Sequence, residues 1–311
     1  LNFTKEQEKI INELSDYILS TSTRNIFLLK GYAGTGKTTL ISALVKSLSS
    51  VNKKPSLLAP TGRAAKVLAN YAKKSASTIH RKIYWINTNK QGNTYIKLKE
   101  NTHTNTIFIV DEASMIPKSS DKGFANRSLL DDLIEYVYDG IGCKLVLIGD
   151  TAQLPPVHLD ISPALDEALL TINYNKEIIC ASLVEVVRQT KSSTILLNAT
   201  RIRKQISNRQ FHLPQLETSE DVIRIQSGDE LQEYLEDNYS QSGIANTIVL
   251  CRSNRRANIY NQRIRSRIRY IEEEIVNGDL LMVVKNNYFW LGDKNQSELI
   301  IFFAGHGLAS S

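Results

Sequence analysis

Cysteine is scarce: the chain of 311 residues has three, Cys143, Cys180 and Cys251, far apart and with no CxxC pair. That spacing excludes a disulfide framework and a structural zinc site. It reads as separate buried thiols of a reducing, cytoplasmic compartment. Long hydrophobic runs are missing as well. No segment reaches the roughly 18–20 apolar residues that a membrane-crossing helix needs, so no span is expected. The opening LNFTKEQEKI lacks the apolar core of a secretory signal, and the absence of a leading Met leaves the native start unassigned. Internal repeats, low-complexity tracts and a nuclease-type cluster of carboxylates are also absent. What remains is 42% hydrophobic and 23% charged, an ordinary globular composition long enough for roughly two domains. Lys and Arg number 38 against 32 Asp and Glu, a net charge of +6, which allows a polyanionic partner without requiring one.

Five short apolar runs lack alternation: Ile26–Leu29, Ser56–Ala59, Ile107–Val110, Leu145–Ile148 and Thr247–Cys251. Runs of this kind suit strands buried on both faces of a parallel sheet. Helical stripes lie between them, with Leu40, Ile41, Leu44, Val45 and Leu48 in one and Ala64, Val67 and Leu68 in another. Strand and helix alternation predicts an α/β doubly wound sheet. Polar segments follow four of the runs directly, Gly31–Thr39, Pro60–Arg63, Asp111–Glu112 and Gly149–Gln153, and should gather at the carboxyl edge of that sheet. Residues 84–98 read as a β-hairpin insertion turning near Gly92, residues 114–128 as an irregular loop, and Leu183–Gln189 as a connector. Ser253–Tyr270 predicts a helix capped by Ser253, with Tyr260, Ile264 and Ile268 on its apolar side.

Residues 31–38, Gly-Tyr-Ala-Gly-Thr-Gly-Lys-Thr, fit GxxxxGK[ST] between an apolar run and a helix, the pattern of a P-loop NTPase. Glycines let the backbone curl so that its N–H groups face phosphate oxygens, and the helix that follows adds its positive end. Gly34, Thr35, Gly36, Lys37, Thr38 and Thr39 are therefore expected on ATP, with Lys37 at the β- and γ-phosphates and the Thr38 hydroxyl at a Mg²⁺ ion. Asp111 and Glu112 follow four apolar residues. Asp111 reads as the second Mg²⁺ residue, through water, and Glu112 as the general base that polarises the attacking water.

Beyond these, the chain resembles the superfamily 1 DNA helicases of the 5′→3′ branch, the RecD/Dda type. The matching stretches occur in order: Phe3-Thr-Lys-Glu-Gln7, GYAGTGKTT (31–39), APTGRAAKVL (59–68), Ser77-Thr-Ile-His-Arg81, IVDEASMI (109–116), LIGDTAQLPPV (147–157) and Leu183-Val-Glu-Val-Val-Arg-Gln189. Residues 248–264, with Asn254, Asn258 and Asn261, resemble the start of the second motor domain of that family, and Gly278-Asp279 and Lys285-Asn-Asn-Tyr288 fit the same branch.

The resemblance implies a first RecA-like domain over residues 1–180, with a hairpin insertion at about 84–104, and part of a second RecA-like domain over 181–311. It implies that Gln7 reads adenine, although alone it reads as a surface amide of an N-terminal helix. It implies that Gln153 senses the γ-phosphate and that Arg188 reaches it from across a cleft between the two domains. Thr61, Gly62 and Arg63 offer a hydroxyl, an unshielded N–H and a cation to a DNA phosphate. His80 and Arg81 add a stacking or phosphate contact. The hairpin, exposing Tyr84, Trp85 and Tyr95, would act as a pin that parts the duplex. Seven arginines lie between Arg252 and Arg269 with no acid among them, and of these Arg255 is the candidate DNA contact. The two C-terminal motifs of the family and its SH3-like insertion have no counterpart in the tail LGDKNQSELIIFFAGHGLASS, so the second motor domain is expected to be cut short. The expected function is ATP hydrolysis coupled to 5′→3′ movement on single-stranded DNA in repair or recombination, with other subunits of such a complex as partners. The alternatives are a DNA-dependent ATPase switch without unwinding and a DNA-binding subunit without catalysis.

Overall fold

The computed structural model describes residues 3–88, 94–117, 128–156, 159–186, 193–210, 212–277 and 279. Contacts divide the chain into two compact units, one up to Ser193 and one from Thr194. The strands of the first unit are β1 (Asn25–Gly31), β2 (Lys54–Ala59), β3 (Ala76–Thr78), β4 (Tyr84–Thr88), β5 (Thr94–Leu98), β6 (Thr106–Val110), β7 (Lys144–Gly149) and β8 (Glu177–Leu183). Its helices are α1 (Lys5–Leu19), α2 (Lys37–Ser47), α3 (Gly62–Ala72), α4 (Ile79–Ile83), α5 (Leu129–Asp139) and α6 (Glu167–Tyr174). Six strands form one sheet in the order β3-β2-β6-β7-β1-β8, and every pairing in it is parallel. β4 and β5 pair antiparallel as the expected hairpin, with Tyr84 opposite Leu98. The doubly wound α/β fold expected from the apolar runs is therefore present, and four of the five runs are its central strands.

Those runs are continuous because both faces of the sheet are covered. Side chains alternate along a strand. Phe27 and Leu29 of β1 pack against Ile10, Leu14, Leu40 and Leu68 from α1, α2 and α3. Ile26 and Leu28 face the other way, onto Ile79, Leu130, Leu133 and Val137 from α4 and α5. Burying each such aliphatic side chain stabilises the fold by about 1.5–3 kcal/mol. On α3 the buried residues are Ala65, Leu68 and Ala72, while Val67, placed in the stripe from sequence, is exposed. The spacing 65, 68, 72 follows one helix face, and Val67 falls off it.

Helix α1 is secured at both ends. Thr4 and Gln7 form a reciprocal capping box at its start. At its far end the buried Lys144 ammonium of β7 donates to Tyr17 O at 2.8 Å, Ser20 Oγ at 2.9 Å and Ser22 O at 3.0 Å. Burial pushes the Lys144 pKa down, and the three oxygen acceptors satisfy the ammonium without a carboxylate.

The second unit contains α7 (Thr194–Ser207), α8 (Gly228–Gln241) and α9 (Asn254–Arg263), the last continuing as a π-type turn over Ile264–Ile268. Ser253 caps α9 as expected, its side chain accepting from Arg256 N. Ile264 is buried and Tyr260 and Ile268 are half-buried, so the predicted apolar side is the inner one. The buried strand expected at Thr247–Cys251 is not formed: Ile248 is 79% and Leu250 86% exposed. A strand of that type exists only between flanking strands and covering helices. Among the described residues of this unit there is no named strand to flank it. Arg188, Gly278, Lys285–Tyr288, the hairpin tip at 89–93 with Gly92, the Tyr95 side chain and the loop residues 118–127 lie outside the described residues.

Candidate nucleotide and nucleic-acid site

Because the sheet is parallel, the segments after β1, β2, β6 and β7 emerge at one edge. The loop after β1 curls through Gly34 at φ 79° and Gly36 at φ 92°, left-handed values at which a Cβ would be strained. Gly36 stands at the start of α2 without a side-chain cap, and the first turn of α2 has no acid. The helix thus leaves its first N–H groups directed at the loop, where an anion would be favoured. Lys37 Nζ donates to Gly31 O at 2.6 Å and Tyr32 O at 2.9 Å. Thr38 is exposed and Thr39 half-buried. Thr35 is buried, its hydroxyl donating to Tyr32 O at 2.8 Å.

Gln7 is only 5% exposed, unlike the surface amide that the residue suggests in isolation. Its Nε2 donates to Thr35 O at 3.0 Å, and its Oε1 accepts from Thr4 N at 3.1 Å. The amide thereby joins α1 to the backbone of the phosphate loop.

Asp111 and Glu112 leave β6 facing this loop. Asp111 Oδ1 accepts from Glu112 N at 2.9 Å, and Asp111 Oδ2 accepts from the Tyr71 hydroxyl. Glu112 has a left-handed backbone, φ 56°, which a non-glycine residue adopts only where the surroundings hold it. Burial and then Asp111 raise the Glu112 pKa, while a hydrogen bond from Gln153 and the charge of Lys37 pull it back. Gln153, from the segment after β7, also accepts at Oε1 from Ser114 Oγ at 3.1 Å. Burial lowers the Lys37 pKa, against the opposing pull of Asp150, Glu112 and Asp111. Lys37, Asp111, Glu112 and Gln153 are therefore brought together. So are two residues that sequence reasoning passed over. Asp150 is buried, with Oδ1 accepting from Ala152 N at 2.8 Å. Its signal was available, since it follows β7 as Asp111 follows β6. Tyr71 had no signal, because only the packing of α3 on the sheet carries it there.

Thr61, Gly62 and Arg63 sit together at the start of α3, beyond β2. Thr61 caps the helix by accepting from Ala64 N at 3.2 Å, and Arg63 is exposed. A Cβ built on Gly62 would meet nothing within 4 Å, so the backbone there is open to a ligand. Beyond β3, Arg81 is exposed and the half-buried His80 ring lies 5.8 Å from that of Tyr84. Tyr84 is not exposed as expected: it is buried, and its hydroxyl donates to Asp132 Oδ2 at 2.6 Å. Strand alternation turns Trp85 outward instead, where it is 60% exposed with Lys99 Nζ 4.7 Å from its ring centroid. In the second unit Arg255 is exposed. Arg265 and Arg269, however, hold Asp279 at 2.5 and 3.2 Å, so these two of the seven arginines are engaged within the fold.

The AAA domain family matches residues 2–229. The ATP-dependent RecD2 DNA helicase of Deinococcus radiodurans is 29% identical over 62% of this chain and 23% of its own length. The ATP-dependent DNA helicase dda of Enterobacteria phage T4 is 30% identical over 56% of this chain and 37% of its own. The chain thus spans well under half the length of these two relatives. Their names bear out the resemblance drawn from the motifs. A crystal structure of Pif1 helicase from Bacteroides in complex with ADP-AlF3 and single-stranded DNA covers 86% of this chain and 58% of that one, at 20% identity and a TM-score of 0.47. No described helix is long and apolar enough to cross a membrane.

Proposed function

The chain belongs to the AAA domain family, and on that footing we propose that it is an ATP-hydrolysing DNA helicase that moves 5′→3′ on single-stranded DNA. One observation carries the reading: the Gln153 amide meets the Glu112 carboxylate beside Lys37 and Asp111. A general base must be held next to the phosphates and oriented toward water, and this arrangement supports that role for Glu112.

In this reading the loop N–H groups and Lys37 bind the β- and γ-phosphates, Gln7 supports the loop from behind and faces the adenine side, and Glu112 takes a proton from the attacking water. Thr38 and Asp111 would hold Mg²⁺. Their hard oxygen donors, an exposed hydroxyl and a carboxylate with further lone pairs on each oxygen, fit a cation that keeps most of its coordination for water and phosphate. Bound there, the ion neutralises charge developing on the transferred phosphoryl group. Thr61, Gly62, Arg63, His80, Arg81 and Arg255 are the proposed DNA contacts, with Trp85 as the exposed aromatic of the hairpin. Repair or recombination is proposed as the setting of this activity, as the resemblance to the RecD/Dda type implies. The residues from Thr194 on are proposed as part of a second motor domain.

The test is ATP hydrolysis with and without single-stranded DNA, followed by strand displacement on a 5′-tailed and a 3′-tailed duplex. DNA-stimulated hydrolysis, its loss in Lys37→Ala and displacement of the 5′-tailed substrate alone support the proposal. Hydrolysis untouched by Lys37→Ala refutes the site, and stimulation without displacement favours an ATPase switch.

A further inference from the structure

Tyr71 lies near the C-terminal end of α3, the helix whose start carries Thr61, Gly62 and Arg63. Its hydroxyl donates to Asp111 Oδ2. The ring is half-buried, and the phenol hydroxyl serves as the donor. Its backbone is anchored as well: the single Ser42 Oγ proton is shared between Tyr71 O at 3.0 Å and Thr38 O at 2.9 Å, which brings this turn of α3 against the first turn of α2. Asp111 therefore has one donor on each oxygen, Glu112 N on Oδ1 and Tyr71 on Oδ2. A carboxylate held this way has a fixed plane and a fixed pair of remaining lone pairs.

We propose that Tyr71 is a positioning residue that orients Asp111 toward the metal of the nucleotide site, and that it links this carboxylate to the helix bearing the candidate DNA contacts. The inference rests on the magnesium role proposed above for Asp111. Partners of this kind around a metal-binding carboxylate typically change metal affinity about 10–100-fold when removed. Removing the Tyr71 hydroxyl leaves Oδ2 without its donor and lets the carboxylate rotate about its side-chain bonds. The contact also joins α3, whose start carries the candidate DNA contacts, to Asp111 at the end of β6. A strand that pulled on Thr61–Arg63 would act on a rigid helix of 11 residues, and the phenol would carry the displacement to Asp111.

The experiment measures equilibrium binding of a fluorescent ADP analogue to the full chain across a magnesium titration, for wild type, Tyr71→Phe, Asp111→Asn and the double variant. Binding in EDTA reads the loop and the integrity of the fold, and Tyr71→Phe should match wild type there, just as the double variant should match Asp111→Asn. In Tyr71→Phe the magnesium concentration for half-maximal tightening should rise at least about tenfold. In the double variant the Tyr71 change should add nothing to Asp111→Asn, because the tyrosine acts through that carboxylate. A Tyr71→Phe titration that overlays wild type, or additive effects in the double variant, overturns the inference. If Asp111→Asn itself leaves the magnesium dependence unchanged, the metal role of Asp111 fails instead. Tyr71→Met, which fills a similar volume without a donor, is the second variant if Tyr71→Phe binds poorly in EDTA, and the same rise is expected of it.

Discussion

Two stretches of nearly the same sequence character end in opposite surroundings. Ile26–Leu29 in β1 is wholly buried, whereas Thr247–Cys251 in the second unit leaves Ile248 and Leu250 open to solvent. Both are short, apolar and unbroken. The difference lies in their neighbours: β1 has β7 on one side, β8 on the other and helices on both faces. A continuous apolar run is a statement about what must cover it, and it becomes a buried strand only where the cover is present. The contrast extends to the whole of each unit. The first is built around two hydrophobic clusters, one on each face of its sheet. In the second, Asn198 and Ile264 are the only buried residues among those described. Chemistry that needs fixed geometry accordingly sits in the first.

The strongest way to break this contrast is at the candidate base. Glu112→Gln should lower ATP turnover by about 10²–10⁴-fold while nucleotide binding is retained, as steady-state kinetics and equilibrium binding would show. The same change should make the protein more stable. The Glu112 pKa is raised in the fold, so its contribution is complete below the ordinary carboxylate range and is lost as pH rises through the raised value. The melting temperature of Glu112→Gln should therefore exceed that of wild type at pH 8 by more than it does at pH 5. A loss of stability at pH 8 would show that the charged carboxylate is favoured there.

Next in size is the core. Leu28→Ala, in the middle of β1, should cost about 2–5 kcal/mol in urea unfolding. Within the second unit, Asp279→Ala strips Arg265 and Arg269 of their shared partner and should lower the melting temperature less than Leu28→Ala does, with protease cleavage after residue 260 increasing. The smallest effect is expected from Leu250→Ala, within about 0.5 kcal/mol of wild type. If Leu250→Ala approached Leu28→Ala in effect, the second unit would be better packed than its described residues show, and the contrast would fall.

Much of the first unit was legible because its strands are buried on both faces and its loops carry unusual residue combinations. β8 was not recognised as a strand: EIICASL mixes polar and apolar residues, as an edge strand with one free side does. β3 is three residues long and too short for any period to register. The phosphate loop, Asp111 and Glu112 were readable from spacing, since each follows an apolar strand directly, whereas the role of Gln153 came from the resemblance. Tyr71 and Tyr84 were not, because their partners Asp111 and Asp132 lie 40 and 48 residues away and only the packed sheet brings them together. The outward assignment of Tyr84 failed for a related reason: alternation states that Tyr84 and Trp85 point apart, but not which of them faces the core.

The lysine of the phosphate loop has a consequence for timing. Lys37 Nζ is engaged with the carbonyls of Gly31 and Tyr32. An incoming phosphate therefore exchanges one set of acceptors for another and does not find a bare charge. Association by exchange releases less free energy than capture by an unpaired ammonium, and the same carbonyls are waiting when the spent nucleotide departs. A cycling enzyme gains from that symmetry, since a grip that tightens less on arrival also lets go sooner.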